Sequence, residues 1–157
     1  MQQAKEDHHV VGVDIAATTF TAVWTMANGQ PSRPTTFPQT PDGFTTFMQH
    51  LATVPAYTSI VMEATSSYWV ALAVAMHEAG YQVSIVNPKH IHHYAKSLPR
   101  RSKTDALDAA LIRQFACERQ LKPWTPPPAV YHEVRQRLVA RDALAEMRQQ
   151  ARNQRHA

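Results

Sequence analysis

The chain has 157 residues, of which 44% are hydrophobic and 18% charged, so it can bury the core of one domain and is not a disordered chain. Its longest apolar run, residues 69–76, is too short to cross a bilayer, and its polar start lacks the apolar core of a signal peptide. A single cysteine excludes a disulfide framework and a cysteine zinc cluster. We therefore expect a cytoplasmic protein.

The first part of the chain predicts three strands, followed by alternating helices and strands. Residues 9–16 and 19–26 are rich in β-branched residues and precede the turn signal Asn28-Gly29, and the prolines of residues 33–39 suit only an edge strand. Thr40 and Pro41 begin a helix. Next come a strand over residues 58–63, a helix over 67–79 that ends before Gly80, and a strand over 81–86.

The second part predicts helices and a connector. A short helix runs from Asn87-Pro88 to about Leu98, and Thr104 is expected to cap a helix that ends near residue 120. Residues 122–129 form a proline-rich connector, and residues 130–157 predict one long polar helix. We expect three regions: 1–121, 122–129 and 130–157.

This order of elements predicts an α/β fold of the ribonuclease H-like type. It would be a five-stranded mixed sheet with flanking helices, followed by the long C-terminal helix. In such a fold the first strand is central and lies beside the fourth strand. Because a fold alone does not settle function, the argument for function depends on the site.

Charge is distributed unevenly along the chain. Residues 1–88 carry two basic and six acidic groups, whereas residues 89–157 carry fourteen basic groups, most of them Arg, and six acidic groups. A basic half of this kind favours a polyanionic partner such as nucleic acid, although a solvated helical surface would carry the same charges.

Two carboxylates stand where a strand would bury them. Asp14 lies within the apolar strand Val-Gly-Val-Asp-Ile-Ala, and Glu63 ends the apolar strand Ile-Val-Met-Glu. A buried carboxylate is costly unless it is paired or bound to a metal ion. If the first and fourth strands are neighbours, the two acids meet at one end of the sheet, where their mutual repulsion favours a bound cation.

Asp105 and Asp108 complete the set of acids. They are three residues apart, so both would lie on one side of the predicted helix, next to its apolar stripe of Leu107, Leu111 and Phe115. Taken alone, Asp105 is more simply a helix-start acid that the helix dipole stabilises. The four acids together predict a shared metal site.

Oxygen-only ligands favour Mg²⁺ or Mn²⁺ over zinc. Such ions can stabilise the attacking and leaving oxygens of a phosphodiester, which predicts hydrolysis or transesterification of nucleic acid. The basic loop before Asp105 would hold the phosphate backbone, although a solvated turn would look the same. The candidate nucleic-acid contacts are Lys89, Lys96, Arg100, Arg101 and Lys103.

Three histidines, His90, His92 and His93, lie close together on the predicted short helix. The spacing of His90 and His93 would permit metal binding. An exposed polar face, or stacking on RNA bases, is the more favoured interpretation.

Several motifs follow the order of a known family. They are Val-Gly-Val-Asp-Ile-Ala around Asp14, Met-Glu-Ala-Thr around Glu63, Asn87-Pro88 leading to Tyr94-Ala95, Arg-Ser-Lys-Thr-Asp-Ala-Leu-Asp-Ala over residues 101–109, and Leu-Lys-Pro-Trp over residues 121–124. Over about residues 9–128 the chain resembles the DEDD transposases of insertion sequences, relatives of the Piv-type DNA invertases. The resemblance implies a RuvC-like domain whose four acids are Asp14, Glu63, Asp105 and Asp108.

The resemblance also implies a function. Members of this prokaryotic family move a DNA element by site-specific recombination, and many are guided by a structured RNA. The long final helix resembles the start of a coiled-coil dimerisation arm, which implies a homo-oligomer. A second domain of the family supplies a serine nucleophile, so strand exchange is expected to need residues beyond Ala157. Ser66 departs from the family pattern, which has glycine at this position.

Two alternatives stay open at this point. The same four acids would serve a stand-alone, metal-dependent Holliday-junction resolvase or nuclease, and the basic half alone would serve a nucleic-acid-binding module without catalysis. A sugar kinase or actin-like ATP-binding half is disfavoured, because none of the four glycines lies in a glycine-rich phosphate cradle.

Overall fold

A computed structural model describes residues 9–54, 58–99, 108–128 and 130–155, with the backbone alone for 130–138. The chain divides after Thr125 into two compact units, Met1–Thr125 and Pro126–Ala157. The first unit holds a sheet with helices on both faces, and the second holds one long helix. No helix in the described ranges is long and apolar enough to span a membrane.

The elements follow the predicted order. The strands are β1 (Val10–Ile15), β2 (Thr19–Trp24), β3 (Thr35–Pro38), β4 (Ser59–Glu63) and β5 (Gln82–Val86). The helices are α1 (Pro41–Leu51), α2 (Trp69–Glu78), α3 (Pro88–Ser97), α4 (Ala109–Cys117) and α5 (Val130–Arg155).

The five strands form one mixed sheet in the order β3-β2-β1-β4-β5. Strand β2 pairs with β1 and with β3 in antiparallel fashion, whereas β4 pairs in parallel with β1 and with β5. The predictions that β1 is central, that it lies beside β4 and that β3 is an edge strand are confirmed.

The sheet buries a different hydrophobic cluster on each face. Because side chains alternate along a strand, Ile60 and Met62 of β4 face one side and Val61 faces the other. The first side packs against α1 and α2 through residues such as Phe47 and Leu72. The second side packs against α3 and α4, and the fold therefore has three layers.

Gly12 of β1 lets α4 lie directly on the sheet. A Cβ atom at this position would stand 2.3 Å from the carbonyl oxygen of Ala109 and 2.4 Å from the backbone nitrogen of Arg113. No side chain fits in that space, so glycine permits the backbones of β1 and α4 to approach. This packing brings the start of α4 to the end of the sheet where β1 finishes.

The helix predicted from Thr104 to about residue 120 is wrong at Asp108, which is not helical. Asp108 has an extended backbone (φ −132°, ψ 172°) and is the N-cap of α4, which begins at Ala109. Asp108 therefore precedes the helix, and Thr104 and Asp105 lie outside the described residues. The apolar stripe is confirmed at Leu111 and Phe115, both of which are buried.

Residues 122–125 of the predicted connector belong to the first unit. The backbone N–H of Trp124 donates to the carbonyl oxygen of Val83 at 2.7 Å, which covers part of the edge of β5. The Trp124 indole packs edge-to-face on that of Trp69, with ring centroids 5.7 Å apart.

Candidate functional site

The parallel pairing of β1 and β4 places two acids side by side. Val13 lies opposite Met62 in the register, so Asp14 and Glu63 follow one residue later at the same end of the sheet. Glu63 is only 7% exposed, and Asp14 is partly buried. Two carboxylates with little access to water therefore meet at the carboxyl ends of neighbouring strands.

The electrostatics of Asp14 link it to two other acids. Burial raises the pKa of Asp14 above its ordinary value of 3.8, and the negative charges of Glu63 and Asp108 raise it further. A shift in this direction means that the site disfavours another negative charge. The structure thus brings three of the four predicted acids into one electrostatic neighbourhood.

Asp108 reaches this neighbourhood from the helical layer. Its side chain is exposed, and its Oδ1 accepts a hydrogen bond of 2.8 Å from the backbone N–H of Leu111. One carboxylate oxygen therefore serves as the N-cap of α4. The negative charge at this helix start also interacts favourably with the helix dipole.

Of the remaining predicted site residues, the structure describes only two lysines. Asp105 and the basic loop residues Arg100, Arg101 and Lys103 lie outside the described residues. Lys89 and Lys96 are exposed residues of α3.

Thr65 supports Glu63 and was not predicted from the sequence. Its Oγ1 donates to Oε1 of Glu63 at 2.5 Å. The turn that permits this contact includes Ser66 in the left-handed region of the backbone, with φ at 63°. The Ser66 hydroxyl accepts from the backbone N–H of Tyr68 at 3.3 Å. The only sequence signal for this role of Thr65 is that a threonine follows the buried acid by two residues.

Gln39 connects the two segments that follow the acidic strands. Its side-chain amide donates to the carbonyl oxygen of Ala16 at 3.3 Å and to that of Tyr68 at 3.1 Å. Ala16 follows Asp14 by two residues, and Tyr68 follows Glu63 by five. Gln39 therefore links the segment after Asp14 to the segment after Glu63.

The two strand-end acids have the donor chemistry that a hard divalent cation requires. Carboxylate oxygens are the preferred ligands of Mg²⁺, and a cation offsets the repulsion that raises the pKa of Asp14. Within the described ranges, no three His, Cys, Asp or Glu residues are arranged to hold a metal ion. The described acids alone therefore do not make up a complete set of metal ligands.

Comparison with protein families gives a match over nearly the whole chain. The model of the IS110-type DEDD transposases, described as a transposase, matches residues 11–157. Two curated relatives, pilin gene-inverting proteins of Moraxella lacunata and Moraxella bovis, are each 36% identical over 119 residues. Those matches cover 74% of this chain and 36% of each relative, so the chain spans about a third of their length.

Comparison with solved structures supports the fold. RuvC of Thermus thermophilus in complex with a Holliday junction substrate aligns with a TM-score of 0.53 at 14% identity. A second Thermus thermophilus RuvC structure aligns with a TM-score of 0.52 at 16% identity. Each alignment covers 74% of this chain and 99% of the RuvC chain. The predicted RuvC-like fold is confirmed.

Proposed function

This chain belongs to the DEDD transposase family, and on that premise we propose that it is the metal-binding catalytic part of a DNA transposase. The observation that carries the proposal is the meeting of Asp14 and Glu63 at the ends of β1 and β4, with Asp108 near enough to raise the pKa of Asp14. Asp105 is proposed as the fourth acid, from the sequence motif that it shares with Asp108.

The four acids are proposed to hold Mg²⁺ or Mn²⁺. Such an ion would supply Lewis-acid stabilisation of the charge on phosphodiester oxygens. Two other side chains would support the ligands of this ion. Thr65 orients the Glu63 carboxylate, and Gln39 fixes the segments after Asp14 and Glu63 relative to each other. Gly12 lets α4 present Asp108 to the strand ends.

The proposed substrate is DNA, and the proposed second partner is a structured guide RNA. The basic half of the sequence and the family both favour a polynucleotide at this domain. Lys89 and Lys96 of α3, together with the basic loop before Asp105, are proposed as contacts to the backbone phosphates. Complete strand exchange is proposed to need a further domain with a serine nucleophile.

Helix α5 is proposed as an arm that joins two copies of the chain. It carries an exposed stripe of residues at spacings of four, three and four: Ala140, Leu144, Met147 and Ala151. Leu144 and Met147 are 65% and 64% exposed. That spacing is typical of a coiled-coil seam. We propose residues 1–121 as the catalytic domain, 122–129 as the connector and 130–157 as the start of the arm.

Thermal melting with and without Mg²⁺ or Mn²⁺ tests the metal centre. We expect the unaltered chain to melt at a higher temperature with metal, because an ion that binds only the folded state stabilises it. Asp14→Asn should melt higher than the unaltered chain without metal, since it removes a repelled charge, and should respond less to metal. Asp42→Asn is the matched control, because Asp42 is an exposed acid in the first turn of α1.

Equal metal responses in the unaltered chain and in Asp14→Asn would contradict the proposed centre. Cleavage assays on DNA then separate the alternatives. Specific cleavage of a four-way junction by this chain alone would favour a stand-alone resolvase. Nucleic-acid functions that persist unchanged in Asp14→Asn and Glu63→Gln would favour a binding module without catalysis.

A further inference from the structure

A groove of about 850 Å³ lies in the first unit between α3 and the segment that follows α4. Its floor is apolar and includes Val86 and Leu121. Its walls carry polar and basic side chains: Asn87, His90, His93, Ser97, Arg119 and Lys122. Asp14, Glu63 and Asp108 do not line it, and its floor adjoins the acidic site through Val86, which pairs with Glu63 in the sheet.

The lining of the groove has a single sign of charge. Arg119 and Lys122 are the cationic side chains of this lining. The lining includes no Asp or Glu. Glu118 does not line the groove but acts on Tyr94, which does: burial and the Glu118 carboxylate raise the pKa of the Tyr94 hydroxyl to about 12. Concave walls of one sign concentrate the field and attract a polyanion.

Arg119 is held in a geometry that suits phosphate. Its guanidinium carbon lies 4.2 Å from the centroid of the Phe115 ring and 5.0 Å from that of Tyr94. Cation–π contacts fix the plane of the guanidinium, and its N–H groups donate within that plane. The side chain is also exposed, so those donors can reach a phosphate oxygen in the groove without a large loss of side-chain entropy.

The two histidines add flat surfaces to the same groove. His90 and His93 are exposed and lie three residues apart on α3, so their rings share one side of the helix. Neutral or charged, an imidazole ring can stack on a nucleobase. Lysine, arginine and stacking rings on one open groove are the combination that single-stranded polynucleotide sites use.

We infer that this groove binds a polynucleotide strand, with Arg119 and Lys122 on its phosphates and with His90 and His93 against its bases. The inference goes beyond the acidic centre and does not need a metal ion. The shared chemistry is a chain of phosphodiesters with accessible bases, which single-stranded DNA and single-stranded RNA both offer.

Equilibrium binding of labelled oligonucleotides in a metal chelator tests the inference. The probes are mixed-sequence single-stranded DNA, single-stranded RNA and duplex DNA, titrated with the whole chain at several salt concentrations. The variants are Lys122→Gln, Arg119→Gln and the pair His90→Gln with His93→Gln. The matched control is Arg33→Gln, an exposed cation on the connection before β3, at the opposite edge of the sheet from β5.

We expect Lys122→Gln and Arg119→Gln each to raise the Kd for single strands about fivefold and to reduce the salt slope by about 0.7, as the loss of one phosphate contact does. The histidine pair should raise the Kd for single strands more than that for duplex DNA, because duplex bases are already stacked. A loss confined to DNA or to RNA supports the inference and assigns the groove to that polymer.

Losses no larger than those of Arg33→Gln, or an unaltered chain that binds none of the probes, would overturn the inference. Melting curves check that each variant is folded, and Lys122→Gln is decisive because Lys122 is exposed. These titrations contain no metal, so their outcome does not depend on the proposed metal centre. That centre is tested separately, by the response of the melting temperature to Mg²⁺.

Discussion

Ser66 is held in a backbone conformation that few residues other than glycine adopt readily. Its φ is 63°, in the turn that carries Thr65 to the Glu63 carboxylate. For an L-residue this conformation costs roughly 1 kcal/mol, and glycine avoids the cost. Glycine is also the residue that the resemblance to the DEDD transposases implies at this position.

We expect Ser66→Gly to stabilise the fold by about 0.5 kcal/mol. The release of strain is larger than the loss of the weak contact from the Tyr68 N–H, which is 3.3 Å long and exposed. Denaturant midpoints measure the change. Gly80→Ala is the opposite case, because Gly80 has φ at 92° and should lose about 1 kcal/mol with alanine. A destabilised Ser66→Gly would contradict the strain at this turn.

The raised pKa of Asp14 predicts how stability depends on pH in the absence of metal. The folded state holds the proton of Asp14 more tightly than the unfolded state, so the folded state binds more protons between the two pKa values. The free energy of unfolding should therefore fall as the pH rises from about 3.8 through the folded-state pKa. This contribution is fully present below 3.8 and lost above the window.

Chemical denaturation in a chelator across this pH range measures the effect. Asp14→Asn should lose this part of the slope, whereas Asp42→Asn should keep it. If the unaltered chain and Asp14→Asn show parallel curves, burial and the neighbouring acids do not act on Asp14 in the folded state.

At the residue scale, the sequence predicts acids better than it predicts their supports. Asp14 and Glu63 are visible because a charge in an apolar strand is costly and has few explanations. Thr65 and Gln39 are not visible, because a hydroxyl or an amide in a loop is ordinary there. Their roles depend on which backbone segments the fold brings together, and Gln39 lies 29 residues before the Tyr68 carbonyl that it contacts.

The close packing of α4 on β1 is the main feature at the scale of elements. We expect Gly12→Ala to destabilise the fold by at least about 2 kcal/mol, because the new methyl group would overlap backbone atoms of Ala109 and Arg113. A flexible side chain could move away, but a helix backbone cannot do so without moving α4. The variant should also respond less to metal, since α4 carries Asp108.

Urea denaturation and melting with Mg²⁺ measure both effects. Gly29→Asn is the control: Gly29 has φ at 80°, nothing stands within 4 Å of its would-be Cβ, and asparagine tolerates this conformation. It should change stability by less than about 1 kcal/mol. Normal stability of Gly12→Ala would mean that α4 does not rest on β1 as described.

The error at the start of α4 has a simple physical origin. Thr104 and Asp108 are both good N-cap residues, and the apolar stripe at Leu111 and Phe115 keeps the same period with either start. The apolar stripe therefore determines which face of α4 is buried, but not the residue at which α4 begins. The hydrogen bond from the Leu111 N–H to Asp108 marks the helix start. The starts of α1 and α3 were predictable because Thr40 and Asn87 are each followed by proline.

At the scale of the whole molecule, the exposed stripe of α5 predicts self-association. We expect the unaltered chain to sediment as a dimer, at twice its mass of 17.7 kDa, at high concentration. Dimerisation would remove the exposed apolar side chains of Leu144 and Met147 from water. Leu144→Gln combined with Met147→Gln should shift the equilibrium to the single chain. Ala145→Gln, on another side of the helix, is the control. A chain that sediments singly at all concentrations would refute the arm.

The architecture was predictable because several independent signals agree. Hairpin residues, proline positions and two strand-ending acids all indicate the same order of elements, and the family resemblance implies the same fold. The groove between α3 and the end of α4 was not predictable. Its walls come from Asn87, His90 and residues near 120, and the packing of α3 against α4, which includes that of Tyr94 on Phe115, brings them together.

The edge-to-face contact of Trp69 and Trp124 gives the molecule an optical signal of its own. Indoles whose centroids are 5.7 Å apart couple their electronic transitions, and the coupled pair absorbs circularly polarised light differently from two separate rings. One ring begins α2, close after the turn that supports Glu63, and the other lies on the segment that leads out of the first unit. The circular dichroism of this pair therefore reports, without any label, whether the segment that carries Trp124 stays packed against Trp69 when metal or nucleic acid is added.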